Sequence, residues 1–100
     1  MRQSSPPKPD ISQKPSFSHQ KIVEIIYSSS NNVRGIITID SNGLYRILSE
    51  FWDIADWQSS GTAFWNQDQM GTFTDTLENA QKLCREYLLT NSDIGVISNQ

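Results

Sequence analysis

The stretch VRGIITIDSNGLYRILSEF, residues 33–51, decides the fold. Two runs rich in β-branched and aromatic residues flank Ser41-Asn42-Gly43, which reads as a hairpin turn. If Asn42-Gly43 were a two-residue loop, Ile39 would oppose Arg46 and both faces would mix apolar with charged side chains. A three-residue loop, with Gly43 supplying the positive φ of a G1 bulge, sorts them instead. Ile39 then opposes Tyr45, Ile37 opposes Ile47, Gly35 faces Ser49 and Val33 faces Phe51. Thr38 with Arg46 and Arg34 with Glu50 fall on the other side. Register follows the choice that buries one face consistently, so the three-residue loop is the expected one.

Upstream, Lys21–Ser28 is a strand in which Val23, Ile25 and Tyr27 alternate with Ile22, Glu24 and Ile26, joined by the polar turn Ser28–Asn32. Downstream, Asp53–Gly61 is a connection and Thr62–Gln67 a fourth strand. Helical spacing of Leu48, Phe51, Trp52 and Ala55 makes Ser49–Trp57 a competing helix. Thr74–Leu89 reads as an amphipathic helix. Leu77, Ala80, Leu83, Cys84, Tyr87 and Leu88 share an arc of about 140°, opposite Glu78, Lys82, Arg85 and Glu86. Asp75 with Glu78 has capping-box spacing, and Thr74 is the alternative cap. The expected fold is therefore α+β: a small antiparallel meander of three to four strands with one C-terminal amphipathic helix packed on one face.

Around this body (residues 21–90) lie two segments that read as tails. Residues 1–20 hold all four prolines, and Pro6-Pro7-Lys8-Pro9 favours polyproline II, so they read as a disordered lead. The Pro-x-x-Pro match at Pro6–Pro9 is short enough to arise by chance. Residues 91–100 read as a flexible tail, unless Ile94-Gly95-Val96-Ile97 adds an edge strand.

Net charge is −3. Residues 21–100 carry five cations (Lys21, Arg34, Arg46, Lys82, Arg85) against ten carboxylates, which provides no cationic footprint for phosphates. Nucleic acid is thus not an expected partner. Apolar runs of three residues are too short for a membrane span or a signal-peptide core. One cysteine leaves no intrachain disulfide, and the expected setting is a reduced cytoplasm.

Catalytic chemistry is hard to assemble from these residues. His19, the only histidine, lies in the lead, and Cys84 lies on the helix's apolar arc, away from the helix start where thiolates are stabilised. No zinc set can form. Asp40-Ser41-Asn42-Gly43 superficially fits an EF-hand loop, but Thr38 and Ser49 then occupy the positions that need Asp and Glu. Glu50, Asp53 and Asp56 are spaced like solubilising and turn-capping carboxylates. The five glycines are too dispersed for a phosphate-binding loop. No enzyme, metal or cofactor is expected.

Phe51, Trp52, Trp57, Phe64 and Trp65 crowd into fifteen positions. Phe51 and Trp65 read as core anchors, Trp52 and Trp57 as the exposed pair. The hairpin register leaves Ile36, Leu48 and Trp52 on the face away from the helix, with Ile22 and Ile26 as candidate additions. Such a face is apolar enough to mark a contact surface. A long loop or Ile94–Ile97 folded over it is the alternative. The leading expectation is a non-catalytic interaction or regulatory module using Ile36, Leu48, Trp52 and Trp57, its partner another protein or a second copy in a homodimer. A small-ligand or carbohydrate-binding protein using Trp52 and Trp57 is the second reading. An acidic inhibitor of a basic nucleic-acid-binding partner is the third.

Overall fold

The structure is a computed structural model that describes residues 5–15 and 20–91, with the backbone alone at 69, 70 and 91. Four antiparallel strands, β1 (Lys21–Tyr27), β2 (Val33–Ile39), β3 (Tyr45–Asp53) and β4 (Phe64–Thr74), form a meander in chain order. A one-turn helix, α1 (Trp57–Ser60), sits in the β3–β4 connection, and α2 (Leu77–Asn91) packs across the sheet. The fold is the α+β arrangement that the alternation predicts.

The β2–β3 hairpin has the expected register: Ile39 with Tyr45, Ile37 with Ile47, Gly35 with Ser49 and Val33 with Phe51. Its turn explains why. Gly43 has φ +81°, its N–H donates to the Asp40 carbonyl at 3.1 Å, and Asp40 N–H donates to the Leu44 carbonyl at 3.0 Å. The Asp40 carboxylate also accepts from the N–H groups of Asn42 and Leu44. Asp40 thus shapes the turn through both its backbone and its carboxylate.

One face of the sheet receives α2. Val33, Ile37, Ile47, Ala80, Cys84 and Leu88 form its buried cluster, with Ile26, Tyr45, Phe51, Leu77, Leu83 and Tyr87 packed around it. The expected apolar arc of the helix is thus the one that faces the sheet. Close approach depends on the small pair Gly35 and Ser49: a Cβ at position 35 would lie 2.1 Å from the Cys84 sulfur. Gln81 donates to Glu24 at 2.7 Å, and the buried Ser49 donates to the Tyr87 phenol at 3.2 Å. The Tyr87 phenol in turn donates to Asp68.

Several expectations shift. The first strand carries a bulge between Ile22 and Glu24. The extra residue reverses the alternation, so Ile22 joins Ile25 and Tyr27 on the second face while Ile26 turns to the helix. The competing Ser49–Trp57 helix does not form; β3 runs through to Asp53. The fourth strand continues seven residues further than Gln67, past a second irregularity opposite Ile47–Ser49. The α2 cap is Thr76 rather than Asp75 or Thr74. Its hydroxyl accepts from Asn79 N–H at 3.2 Å, because the helix starts at Leu77.

His19 and the Ile94–Ile97 segment lie outside the described residues. Among those described, no helix is long and apolar enough to cross a membrane.

Candidate functional site

The second face is built by strand pairing. Tyr27 pairs with Arg34, Arg34 with Glu50, and Trp52 with Trp65, which places one residue or more from every strand on the side away from α2. Trp65 is the hub. Its ring meets Trp52 edge-on at 5.3 Å and 68°, and Tyr27 at 6.3 Å and 57°. The Arg34 guanidinium lies 4.1 Å from the centre of the Trp65 ring. Arg34 is 1% exposed and pairs with Glu50, Nε at 2.8 Å and Nη2 at 2.6 Å from the same carboxylate oxygen. A cation at that depth survives because a counter-charge, a π face and hydrogen-bond acceptors surround it.

The remaining acceptor comes from the lead. Residues 5–15 lie across this face, and four donors of the sheet hold them there. Trp52 Nε1 donates to the Pro7 carbonyl at 3.1 Å, and Trp65 Nε1 to the Asp10 carbonyl at 2.9 Å. The Tyr27 phenol donates to the Ile11 carbonyl at 3.2 Å, and Arg34 Nη1 to the Gln13 carbonyl at 2.7 Å. Within the lead, Gln13 N–H closes a turn onto the Asp10 carbonyl at 3.2 Å. The Asp10 carboxylate accepts from Ser12 N–H and hydroxyl, and these bonds hold its pKa below the usual value. The free-tail expectation for this segment is corrected in one respect: between Ser5 and Pro15 the chain docks. The buried Trp52 indole and the buried Arg34 guanidinium need acceptors, and an extended proline-rich segment offers carbonyls with few competing N–H groups.

The candidate residues named from the sequence are placed as follows. Ile36 and Leu48 lie in the middle of the second face and are buried, and Trp52 is 8% exposed. The face is where it was expected, but it is closed rather than open. Trp57 is half-buried at the start of α1, away from the strand pairing that unites Trp52 with Trp65. Phe51 packs on the helix side as expected, whereas Trp65, read as core, belongs to the second face. Sequence reasoning placed Arg34 on this face but missed Tyr27 and Trp65 as its neighbours there. The signal was the Tyr27–Arg34–Glu50 row, which needed the first strand's bulge to be recognised.

The clustered carboxylates Glu50, Asp53 and Asp56 have the following settings. Glu50 neutralises Arg34. Asp53 accepts from Ala55 N–H at 2.9 Å and from the Asn66 amide at 2.8 Å, and Asp56 precedes α1. Cys84 is buried, and burial together with the Glu24 carboxylate pushes its thiol up to about 11. No group of three or more His, Cys, Asp or Glu side chains among the described residues is placed to hold a metal ion. Comparison with protein-family models, curated proteins and solved structures gives no match.

Proposed function

We propose that the protein is a non-catalytic interaction and regulatory module that works through the aromatic face formed by Tyr27, Arg34, Trp52 and Trp65. One observation carries this reading: four outward-directed donors on an aromatic surface engage a separate stretch of chain, the lead, which closes the surface. A surface that seats a peptide segment in cis has the chemistry to seat one in trans. Access is then controlled by the lead, and the partner is another protein or a second copy of this chain.

Each chain holds both a lead and a receiving face, so loosening the lead should convert a monomer into a self-associating species. Asp10→Gly removes the carboxylate that shapes the lead's turn. Sedimentation velocity at micromolar concentrations should give a monomer for the wild type and a concentration-dependent dimer for Asp10→Gly. Adding Trp65→Ala to that variant should abolish the dimer while circular dichroism stays native. A folded Asp10→Gly chain whose lead is released and which remains monomeric overturns the homodimeric form of the reading.

A further inference from the structure

The geometry points to a specific class of partner: a proline-rich segment of another protein that runs extended and then enters an Asp-initiated turn, recognised by its main chain and in competition with the resident lead. This inference rests on the reading of the aromatic face as the interaction surface, and adds what that surface selects.

The four contacts already described share one property. Trp52, Trp65, Tyr27 and Arg34 all donate to backbone carbonyls, those of Pro7, Asp10, Ile11 and Gln13. None of these bonds reads a side chain of the lead. What the lead's side chains contribute is conformation. Pro6, Pro7 and Pro9 hold the first part extended, with φ fixed and no N–H to satisfy on the prolines themselves. Asp10 then folds the chain back through its bonds to Ser12, bringing the Asp10, Ile11 and Gln13 carbonyls into the reach of three donors. Lys8 is exposed. A different sequence with prolines and an Asx turn at the same spacing presents the same carbonyls.

Such a segment competes against a tethered one. A short tether gives the lead an effective concentration in the millimolar range, so an equivalent free peptide half-saturates the wild type only near that concentration. Loosening the lead raises the fraction of open faces and tightens the apparent affinity in proportion.

The test uses the full-length chain and the indole N–H resonances of Trp52 and Trp65, in the wild type and in Asp10→Gly. Three synthetic peptides serve as probes. The first copies residues 5–15. The second keeps Pro6, Pro7, Pro9, Asp10 and Ser12 and replaces every other position by alanine. The third keeps the native residues but replaces Pro6, Pro7, Pro9 and Asp10 by glycine. The first and second peptides should shift both indole signals, with half-saturation within about three-fold of each other. Both should bind Asp10→Gly at least five-fold more tightly than wild type, and the third should have no effect.

If the first peptide binds and the second does not, the face reads side chains; the main-chain inference is then wrong while the interaction surface stands. Should Asp10→Gly leave the indole signals unchanged and the peptides fail to compete, the turn is not what seats the lead, and the inference again fails. If Asp10→Gly frees both indoles and no peptide binds, the inference and the reading beneath it fall together.

Discussion

A single missing side chain lets the helix reach the sheet. Gly35 lies beneath Cys84, and a methyl group built there would sit 2.1 Å from the sulfur, far inside van der Waals contact. Gly35→Ala should therefore cost about 1–3 kcal/mol through overpacking. Cys84→Ala leaves a small void and should cost on the order of 1 kcal/mol. Together they should cost less than their sum, because each change removes the other's problem. Urea denaturation of the four chains measures the coupling, and strict additivity would show that the helix simply moves away. The same sulfur gives a pH signature. Its folded-state pKa is raised from 9.0 to about 11, so its contribution is intact below 9.0 and is lost as pH rises from there to about 11. Tyr87, raised by burial and by its bond to Asp68, loses stability in the upper part of that window as well. The difference between wild type and Cys84→Ala isolates the thiol. Wild type should lose on the order of 2 kcal/mol more than the variant between pH 9 and 11.

Among the elements, the β2–β3 hairpin carries its own instructions. Nothing lies within 4 Å of a Cβ built on Gly43, so substitution there meets no neighbour and acts through the positive φ alone. Gly43→Ala should cost about 1 kcal/mol. Gly43→Asn should cost roughly half of that, since Asn tolerates the left-handed region. Equal costs would mean that the turn relaxes to another type. This is also why the hairpin's register was legible in the sequence: only one loop length sorts Ile37, Ile39, Tyr45 and Ile47 onto one side, and Gly43 permits that loop. The helix was legible for a similar reason, its apolar arc from Leu77 to Leu88 repeating over about three turns. The first strand was not, because KIVEIIY alternates plausibly in either phase and Val23 announces no bulge. Nor was the far part of β4, which the polar run Asn66-Gln67-Asp68-Gln69 enters with no period-two pattern, and where pairing with β3 holds Asp68, Thr72, Phe73 and Thr74. The aromatic face was half legible. Its β3 contribution, Trp52, followed from the hairpin, whereas Tyr27 and Trp65 depended on those two unreadable registers. Docking of the lead was the least visible of all, because its contacts are made through carbonyls that every residue possesses.

At the scale of the whole molecule, the lead meets a buried ion pair. Arg34 and Glu50 are 1% and 14% exposed with the lead in place, and Arg34 also donates to the Gln13 carbonyl. Removing one partner of a buried pair strands a charge in a poorly solvated site, at a cost of about 3–5 kcal/mol, whereas an exposed pair is worth about 1 kcal/mol or less. Glu50→Gln should fall at or just below the lower end of the buried range in the full-length chain, because the glutamine can still accept one bond from the guanidinium. In a chain that begins at Ser16, water should reach Arg34 and the same substitution should cost no more than about 1 kcal/mol. Truncation by itself removes the acceptors of Trp52, Trp65, Tyr27 and Arg34. At about 1 kcal/mol net for each bond, offset by the entropy regained by the released segment, melting should fall by roughly 5–10 °C. Tryptophan emission should shift to longer wavelength as the indoles meet water. Urea denaturation of the wild type, Glu50→Gln, the truncated chain and the truncated Glu50→Gln chain closes the cycle. A coupling of about 2 kcal/mol between residue 50 and the lead is the expected result. If Glu50→Gln costs the same with and without the lead, the segment does not exclude water from Arg34, and the face it covers was never closed.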